Sequence, residues 1–351
     1  MTREELKILQ MSGQHLLRPA DKLTVARDLC GVQAQFLTNA LHAMKIRSHN
    51  YEEASLGDGL VKNWTVRGTV HVFREEDIPL FLCFENAGRY RSRDWTLPSF
   101  WNQRSDWALT PARQGELSER ILAAIQERAH TREELKRICR ESGMSEAEEG
   151  SMFHPWGGGI RELCERGFMH CLVQEEKTYC MTREFDPVPQ EEAQLELARR
   201  FFTHFAPATI HDAMYFFRTT AAQVKKWLNR LPVNSAECGG KTYYYIDRKA
   251  DPLTEFPRCV FLAGFDQLML GYEKKESLYL PTEHMRKIFN LAGIVMPAVL
   301  LDGMVVGRWK KKGRVLTVEL FSPLGDGEKA VVGDAAELIW SKETVEIRFK
   351  D

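Results

Sequence analysis

The sequence predicts an α+β protein in which groups of helices, each closed by a β-hairpin, precede a C-terminal β-rich domain. Two observations support this prediction. An order of helices followed by a hairpin occurs near the N-terminus and recurs twice along the chain. From about residue 256 the pattern changes to β-favouring runs separated by turns, and Asp302-Gly303 between two apolar runs is its strongest hairpin signal. Both central positions of the favoured two-residue turn need positive φ.

The first group begins with Thr2-Arg3-Glu4-Glu5, a capping box in which side-chain oxygens of Thr and Glu satisfy free backbone N–H groups at a helix start. Helices over residues 23–30 and 38–47 follow. The β-favouring runs 64–67 and 70–73 then flank Gly68-Thr69 and predict a hairpin. Three helices followed by a hairpin is the order of a winged helix-turn-helix unit.

The same order recurs with different loops. A second capping box, Thr131-Arg132-Glu133-Glu134, opens a helix to about residue 140, followed by a helix at 159–165 and strands at 168–173 and 177–181. The third group has helices at 192–204, 210–217 and 221–231 and a strand at 242–246. The spacing has no fixed period, which excludes a solenoid. We therefore expect three tandem winged helix-turn-helix units, at 1–105 (with an extension), 106–186 and 187–255, and a β-rich domain at 256–351.

Composition excludes several classes of protein. Hydrophobic residues make up 44% of the 351 residues and charged residues 28%, as in a folded globular chain. No apolar run is long enough to span a membrane, and the N-terminus does not resemble a signal peptide. The eight cysteines lack CxxC spacing, so we expect reduced thiols, a cytoplasmic location and no structural metal.

Charge distribution indicates where a polyanion would bind. The 48 basic and 49 acidic residues give a net charge of −1, so only local basic surfaces would bind DNA. Three clusters are candidates, although a charge run by itself is usually a solvated face. They are Arg89, Arg91 and Arg93; Lys225, Lys226 and Arg230; and Lys310, Lys311, Lys312 and Arg314, the last at an expected hairpin tip, which suits contact with a phosphate backbone.

Motifs of several common enzyme classes are missing. The sequence has no Walker loop, GxSxG elbow or HExxH motif, so nucleotide hydrolysis and acyl transfer lack support. Gly157-Gly158-Gly159 is not followed by the Lys-Ser/Thr of a phosphate loop, and a tight turn before a helix explains it better. The ten histidines do not fall into metal-ligand pairs along the sequence.

Five segments in order resemble the AlkZ/YcaQ-like family of winged-helix DNA glycosylases. They are Gly31-Val32-Gln33-Ala34-Gln35; Trp64-Thr65-Val66-Arg67-Gly68-Thr69-Val70-His71-Val72; Ala206-Pro207-Ala208-Thr209; Phe265-Asp266-Gln267-Leu268-Met269-Leu270-Gly271-Tyr272; and Pro297-Ala298-Val299-Leu300-Leu301-Asp302-Gly303-Met304-Val305-Val306-Gly307-Arg308-Trp309. Each segment alone is weak, but five in this order span nearly the whole chain. The resemblance implies three tandem winged helices with added β-structure. It also implies excision of alkylated purines, including interstrand crosslinks, from double-stranded DNA.

The resemblance gives Gln33 and Gln35 the role of the family's catalytic Gln-x-Gln pair. An amide is not a general base, but it can hold a water molecule and direct its carbonyl dipole at positive charge on a sugar. Such help suffices only where alkylation has already made the leaving base cationic. We therefore expect release of N7-alkylguanine or N3-alkyladenine without metal or nucleotide. Since no lysine is implicated as a Schiff-base nucleophile, an abasic site is the expected product.

Geometry sets a condition on this pair. Residues i and i+2 do not share a face of a regular helix, so both glutamines can serve one site only from a helix end or a turn. Arg67, Thr69 and His71 on the predicted hairpin are further DNA-binding candidates, although a histidine there is more often packed or hydrogen-bonded. Asp266 either orients a site residue or caps the turn that follows it.

Two other classes of function remain open. A non-catalytic winged-helix DNA-binding protein, such as a transcriptional regulator, would keep the scaffold alone. An interaction protein would keep the fold without binding DNA. No obligate protein partner and no membrane are implied by the sequence.

Overall fold

The computed structural model describes residues 1–49, 51–65, 67–82, 89–247 and 256–350. The chain forms two compact units, one of Met1–Glu53 with Leu197–Asp351 and the other of Ala54–Glu196. Both contain helices and strands, which confirms the α+β class. These two units are defined by contacts between residues and not by order along the chain. The predicted division into 1–105, 106–186, 187–255 and 256–351 therefore stays a prediction.

The helices and strands of the described residues are numbered in chain order. The helices are α1 (Arg3–Gly13), α2 (Lys22–Asp28), α3 (Leu37–Lys45), α4 (Ile78–Leu82), α5 (Pro111–Glu127), α6 (Arg132–Glu141), α7 (Glu146–Met152), α8 (Gly158–Glu165), α9 (Gln190–His204), α10 (Ile210–Phe217), α11 (Ala221–Leu228), α12 (Gln267–Leu270), α13 (Met285–Ile288) and α14 (Asp326–Ile339). The strands are β1 (Val32–Gln33), β2 (Leu60–Trp64), β3 (Val70–Arg74), β4 (His130–Thr131), β5 (Met169–Cys171), β6 (Thr178–Met181), β7 (Asn234–Cys238), β8 (Lys241–Tyr245), β9 (Cys259–Leu262), β10 (Ala298–Leu301), β11 (Met304–Lys312), β12 (Val315–Leu320) and β13 (Glu346–Lys350).

Both predicted capping boxes are present. The backbone N–H of Glu5 donates to the Thr2 hydroxyl at 3.1 Å, and that of Thr2 donates to the Glu5 carboxylate at 2.7 Å. Thr131 and Glu134 make the same pair of bonds at 3.2 and 2.7 Å. The two helix starts predicted from local sequence are therefore confirmed.

In the unit formed by residues 54–196, strands lie side by side in the order β3-β2-β5-β6-β4. Helices α5, α6 and α8 cover a core that contains fully buried aliphatic side chains, among them Leu117, Ile121, Leu135, Ile160 and Leu163. The spacing of Leu117 and Ile121 places one buried side chain per turn of α5, as an amphipathic helix requires.

The other unit contains a C-terminal sheet in the order β13-β12-β11-β10-β9, in which only β12 and β13 are parallel. Asp302 and Gly303 turn the chain from β10 into β11 with φ values of 45° and 73°, which confirms the predicted turn. Helix α14 buries Val332 and Ala336 against this sheet. The predicted β-rich domain is thus a sheet covered by a helix that the sequence pattern did not indicate.

Other elements also differ from prediction, among them helices α5 and α7, which the sequence pattern did not indicate. The first strand of the N-terminal hairpin ends at Trp64, not at residue 67, because the Thr65 N–H bonds to the Thr69 carbonyl and Gly68 closes a turn back to Thr65. An unpredicted strand, β7, pairs with β8. Val66 and Cys83 lie outside the described residues. The other cysteines are free thiols, as predicted.

Candidate active site

The predicted Gln-x-Gln pair lies between two helices and not within one. Helix α2 ends at Asp28, and Cys30 and Gly31, both at positive φ (52° and 80°), lead the chain into the short strand β1. Gln33 is the last residue of β1, and Gln35 lies in the bend just before α3. The condition that the pair be outside a regular helix is met.

The side-chain amides of this pair lack partners. Gln33 is only 9% exposed, whereas Gln35 is exposed. Neither amide makes a hydrogen bond with any residue in the described part of the chain. Neither amide is among the buried polar atoms that lack a partner, so both are open to solvent. These two amides are therefore available to a ligand or water.

The loop at 263–266 packs against the start of α3. The ring of Phe36, at the N-cap of α3, stacks on that of Phe265 with 5.9 Å between centroids. A Cβ on Gly264 would lie 2.8 Å from the end of the Asn39 side chain, so the loop approaches α3 closely here. The loop that bears Asp266 is thus fixed beside the glutamine segment.

Asp266 forms a fully buried ion pair with Arg47. Arg47 Nη2 lies 2.6 Å from Asp266 Oδ1 and Nη1 lies 3.0 Å from Oδ2, with both side chains at 0% exposure. Arg47 also donates to the Gln14 and Ala43 carbonyls. Asp266 accepts from the Leu268 N–H at 2.9 Å and so caps α12. Of the two alternatives for Asp266, the cap is observed, together with a partner that sequence spacing did not reveal.

His42 links α3 to the C-terminal sheet. Its Nε2 donates to the Phe261 carbonyl at 2.7 Å, and its ring lies 4.8 Å from Trp309 on β11. Burial lowers the pKa of His42 to about 4, so the imidazole is neutral at pH 7. His42 therefore positions α3 without adding charge.

The basic cluster near residue 310 lies at a hairpin tip, as predicted. Lys312 pairs with Val315, and Gly313-Arg314 forms the turn. Lys310, Lys312 and Arg314 are exposed. Lys311 points to the other face, where its Nζ lies 2.9 Å from Glu343. The exposed cations of this hairpin are free to reach a phosphate backbone.

In the unit of residues 54–196, the hairpin candidates surround the loop at 65–69. His71 is fully buried, and its Nδ1 lies 3.0 Å from the Thr65 hydroxyl and 2.9 Å from the Thr69 carbonyl. Arg67 and Thr69 are half-buried. His71 thus supports the loop, while Arg67 and Thr69 are the members of this group that a ligand can reach.

The three arginines of the cluster at residues 89–93, in the same unit, differ in their partners and exposure. The Arg91 guanidinium bonds to the Thr182 carbonyl and to Glu184, so it is held by protein groups. Arg93 is 64% exposed and pairs with Glu119 at 3.1 Å. Arg89 is half-buried. Arg93 is therefore the exposed cation of the three.

Two histidines distant in sequence meet around Asp28. Nε2 of His15 lies 2.8 Å from Asp28 Oδ2, and Nε2 of His204 lies 3.3 Å from Oδ1; the three ligand atoms lie within 4.8 Å of one another. Arg27 Nε also lies 2.7 Å from Oδ1 and already balances the buried carboxylate. Burial alone would raise the pKa of Asp28, but the bond to His15 and the nearby His204 and Arg27 keep it below its ordinary value. We interpret this group as a link between the ends of α1, α2 and α9.

Comparison with known proteins identifies the class. The profile of the family described as DNA glycosylase AlkZ-like matches residues 26–339. An interstrand DNA cross-link repair glycosylase of Streptomyces sahachiroi is 27% identical over 339 residues, which cover 88% of each chain. The solved structure of Streptomyces sahachiroi DNA glycosylase AlkZ superposes with a TM-score of 0.76 and 22% identity over 99% of each chain, so the fold is shared.

The family match therefore places the protein in the class of DNA glycosylases. The chain belongs to the AlkZ-like DNA glycosylase family, which confirms the resemblance drawn from the five sequence segments. Among the helices of the described residues, none has the length and apolar character needed to cross a membrane.

Proposed function

We propose that the protein hydrolyses the N-glycosidic bond of cationic alkylated purines in double-stranded DNA and leaves an abasic site. N7-alkylguanine is the first substrate class, with N3-alkyladenine and interstrand crosslinks next. The observation that carries the proposal is the pair of unpartnered amides of Gln33 and Gln35 between α2 and α3. The name of the relative from Streptomyces sahachiroi supports crosslinked DNA as a substrate.

The chemistry follows from the amide group. Each amide carbonyl can accept a hydrogen bond from the attacking water, and its dipole stabilises positive charge that develops on the deoxyribose. Neither amide can protonate a leaving base, so the base must already carry the charge. The bond from the sugar C1′ to the purine nitrogen breaks and the purine leaves neutral. Water forms the new bond to C1′ and releases one proton to bulk solvent. This assigns alkylated purines as substrates and disfavours uracil and 8-oxoguanine.

The Arg47–Asp266 pair has a positioning role in this proposal. It holds the loop at 263–266, which contacts the start of α3 through Phe265 and Gly264. A site on loops needs such support, because small displacements of catalytic groups are costly. The pair itself is buried and does not reach substrate.

We further propose that Lys310, Lys312 and Arg314 contact phosphates, joined by Arg67, Thr69, Arg89 and Arg93. Lys310, Lys312, Arg314 and Arg93 are exposed, and Arg67, Thr69 and Arg89 are half-buried. Lys311, Arg91 and His71 belong to the predicted set, but both cations are half-buried in ion pairs and His71 is fully buried, so we assign them to the support of their neighbours. Phosphate contacts of this kind fix the orientation of a protein on duplex DNA.

The three groups of helices and hairpins support a further proposal, that each is a winged helix-turn-helix unit. Strands β2 and β3, β5 and β6, and β7 and β8 form antiparallel pairs after successive helices. In such a unit the second helix of the motif lies in the major groove. We also propose that the protein acts in the cytoplasm and needs no protein partner.

The test is single-turnover release of 7-methylguanine from duplex DNA. We expect Gln35→Ala and Gln33→Ala each to slow release by about 10²–10³, the loss typical of one electrostatic group. Gln103→Ala, which removes an exposed glutamine of the other unit, is the control and should leave the rate unchanged. Absence of release by the wild type, with DNA and crosslinked DNA both bound intact, would instead identify a non-catalytic DNA-binding protein.

A further inference from the structure

Large apolar side chains are exposed beside the candidate active site. Phe36, directly after Gln35, is 50% exposed, although phenylalanine at the start of a helix usually packs inward. Leu291 and Ile294, on the turn at residues 290–294, are 89% and 36% exposed. We call Phe36, Leu291 and Ile294 the apolar edge.

Phe36 is fixed in its exposed position. Its ring stacks on Phe265, which is 8% exposed and has a φ of 56°. A left-handed conformation is unfavourable at an aromatic residue because its Cβ approaches the following carbonyl oxygen. The chain thus accepts strain at Phe265 to hold a ring beneath Phe36.

The turn that carries Leu291 is also well ordered by hydrogen bonds. The Asn290 N–H donates to the Ile294 carbonyl at 3.1 Å, and the Ile294 N–H donates to Asn290 Oδ1 at 2.9 Å. Gly293 supplies a φ of 78°. Leu291 is therefore held outward by a closed turn.

The two parts of the edge are joined through one residue. The N–H of Phe265 donates to the Val295 carbonyl at 3.1 Å, at the base of the turn, while its ring supports Phe36. Helix α3, which begins after Phe36, contacts β11 through His42 and Trp309. That strand ends in the exposed Lys310 and Lys312. The apolar edge therefore lies directly after the two glutamines in the chain. Helix α3 connects both of them to the strand that ends in the basic hairpin, and all three features belong to one compact unit.

We propose that the apolar edge contacts the faces of nucleobases that are exposed where the modified purine leaves the stack, with Phe36 as the stacking residue. The proposal rests on the proposed function. Stacking of a base on an aromatic ring is sequence-tolerant, and apolar side chains can wedge between base steps. DNA is favoured over a protein partner because a stable protein interface buries roughly 800 Å² on each side, far more than three side chains supply. Phe36 and Leu291 are thus positioning residues of the reaction.

The test is binding to two duplexes, one intact and one with a stable tetrahydrofuran abasic site, and it needs no excision. We expect wild type to prefer the abasic duplex. Phe36→Ala should weaken binding to it by about tenfold, the effect of one lost base–aromatic stack, with little change on the intact duplex. Phe36→Trp should retain the preference, and Leu291→Ser should reduce it by about threefold, a partial loss on the same scale.

Leu338→Ser is the matched control, because Leu338 is a 79% exposed apolar side chain on α14, a helix that carries no residue of the apolar edge. Equal losses on both duplexes, no loss with Phe36→Ala, or the same loss with Leu338→Ser would each overturn the proposal. If the proposed function is wrong, the two experiments give a different combination of results. In that case the wild type releases no 7-methylguanine, whereas the dependence of abasic-site binding on Phe36 persists.

Discussion

The Gln33–Gln35 pair and the Arg47–Asp266 pair are polar groups of one compact unit, but they differ in their hydrogen-bond partners. Every charged atom of Asp266 has a donor, and Arg47 donates to a carboxylate and two carbonyls without solvent exposure. The two glutamine amides have no partner among the described residues. Satisfied polar groups stabilise the fold, whereas polar groups left without partners are kept for a ligand.

The largest expected effect tests the satisfied pair. Asp266→Asn removes the charge that balances a fully buried guanidinium, and breaking a buried ion pair in this way costs about 3–5 kcal/mol. The free energy of unfolding in urea should fall by that amount. Glu346→Gln, at an ion pair that is 59% exposed, should change it by less than about 1 kcal/mol. Similar small losses in both variants would mean that the Arg47–Asp266 pair is not a main support of the loop.

The Asp28 group adds a pH-dependent case to the comparison. Because its folded pKa lies below the unfolded value, its contribution is present above pH 4 and is lost as pH falls through the folded pKa. Asp28→Asn should lower the free energy of unfolding at pH 7 by about 1.5–3 kcal/mol, as for hydrogen bonds to charged groups. The difference from wild type should shrink as the pH falls below 4. Asp58→Asn, at an exposed carboxylate, is the control; a difference that stayed constant with pH would refute the linkage.

The basic hairpin contains a lysine paired with a carboxylate between two exposed lysines. Lys311 is paired with Glu343, while Lys310 and Lys312 are exposed. The double variant Lys310→Ala/Lys312→Ala should reduce the slope of log K against log salt by about 1.8, since each phosphate contact contributes about 0.9. Lys311→Ala should change the slope less. Fluorescence anisotropy with a labelled duplex at several salt concentrations measures both slopes. Equal changes in the two variants would contradict the assignment of Lys310 and Lys312, and not Lys311, to phosphate contacts.

Sequence predicted the features that depend on near neighbours. The capping boxes at Thr2 and Thr131 need only residues three apart, and the Asp302-Gly303 turn needs only its own φ values. Helix α14 was missed because Gly327 and Gly333 lower its helix propensity, and burial of Val332 and Ala336 against the sheet stabilises it instead.

The candidate site was predictable only in part for the same reason. Gln33 and Gln35 were found through the resemblance, and their position outside a helix follows from their spacing. Arg47 and the two histidines around Asp28 meet partners far along the chain, and no local pattern marks such contacts. Phe36 was missed because its exposure is a property of the folded chain.

The smallest effect tests the unpartnered pair itself. Gln33→Met keeps the length of a 9% exposed side chain and removes an amide that no described residue satisfies. Because no described residue bonds this amide and its polar atoms are open to solvent, its removal should change the free energy of unfolding by less than about 0.5 kcal/mol. The same variant should lose release of 7-methylguanine. Thermal unfolding and single-turnover release on one preparation measure both quantities. A less stable variant would show that Gln33 has a structural partner, and the contrast with Asp266 would no longer hold.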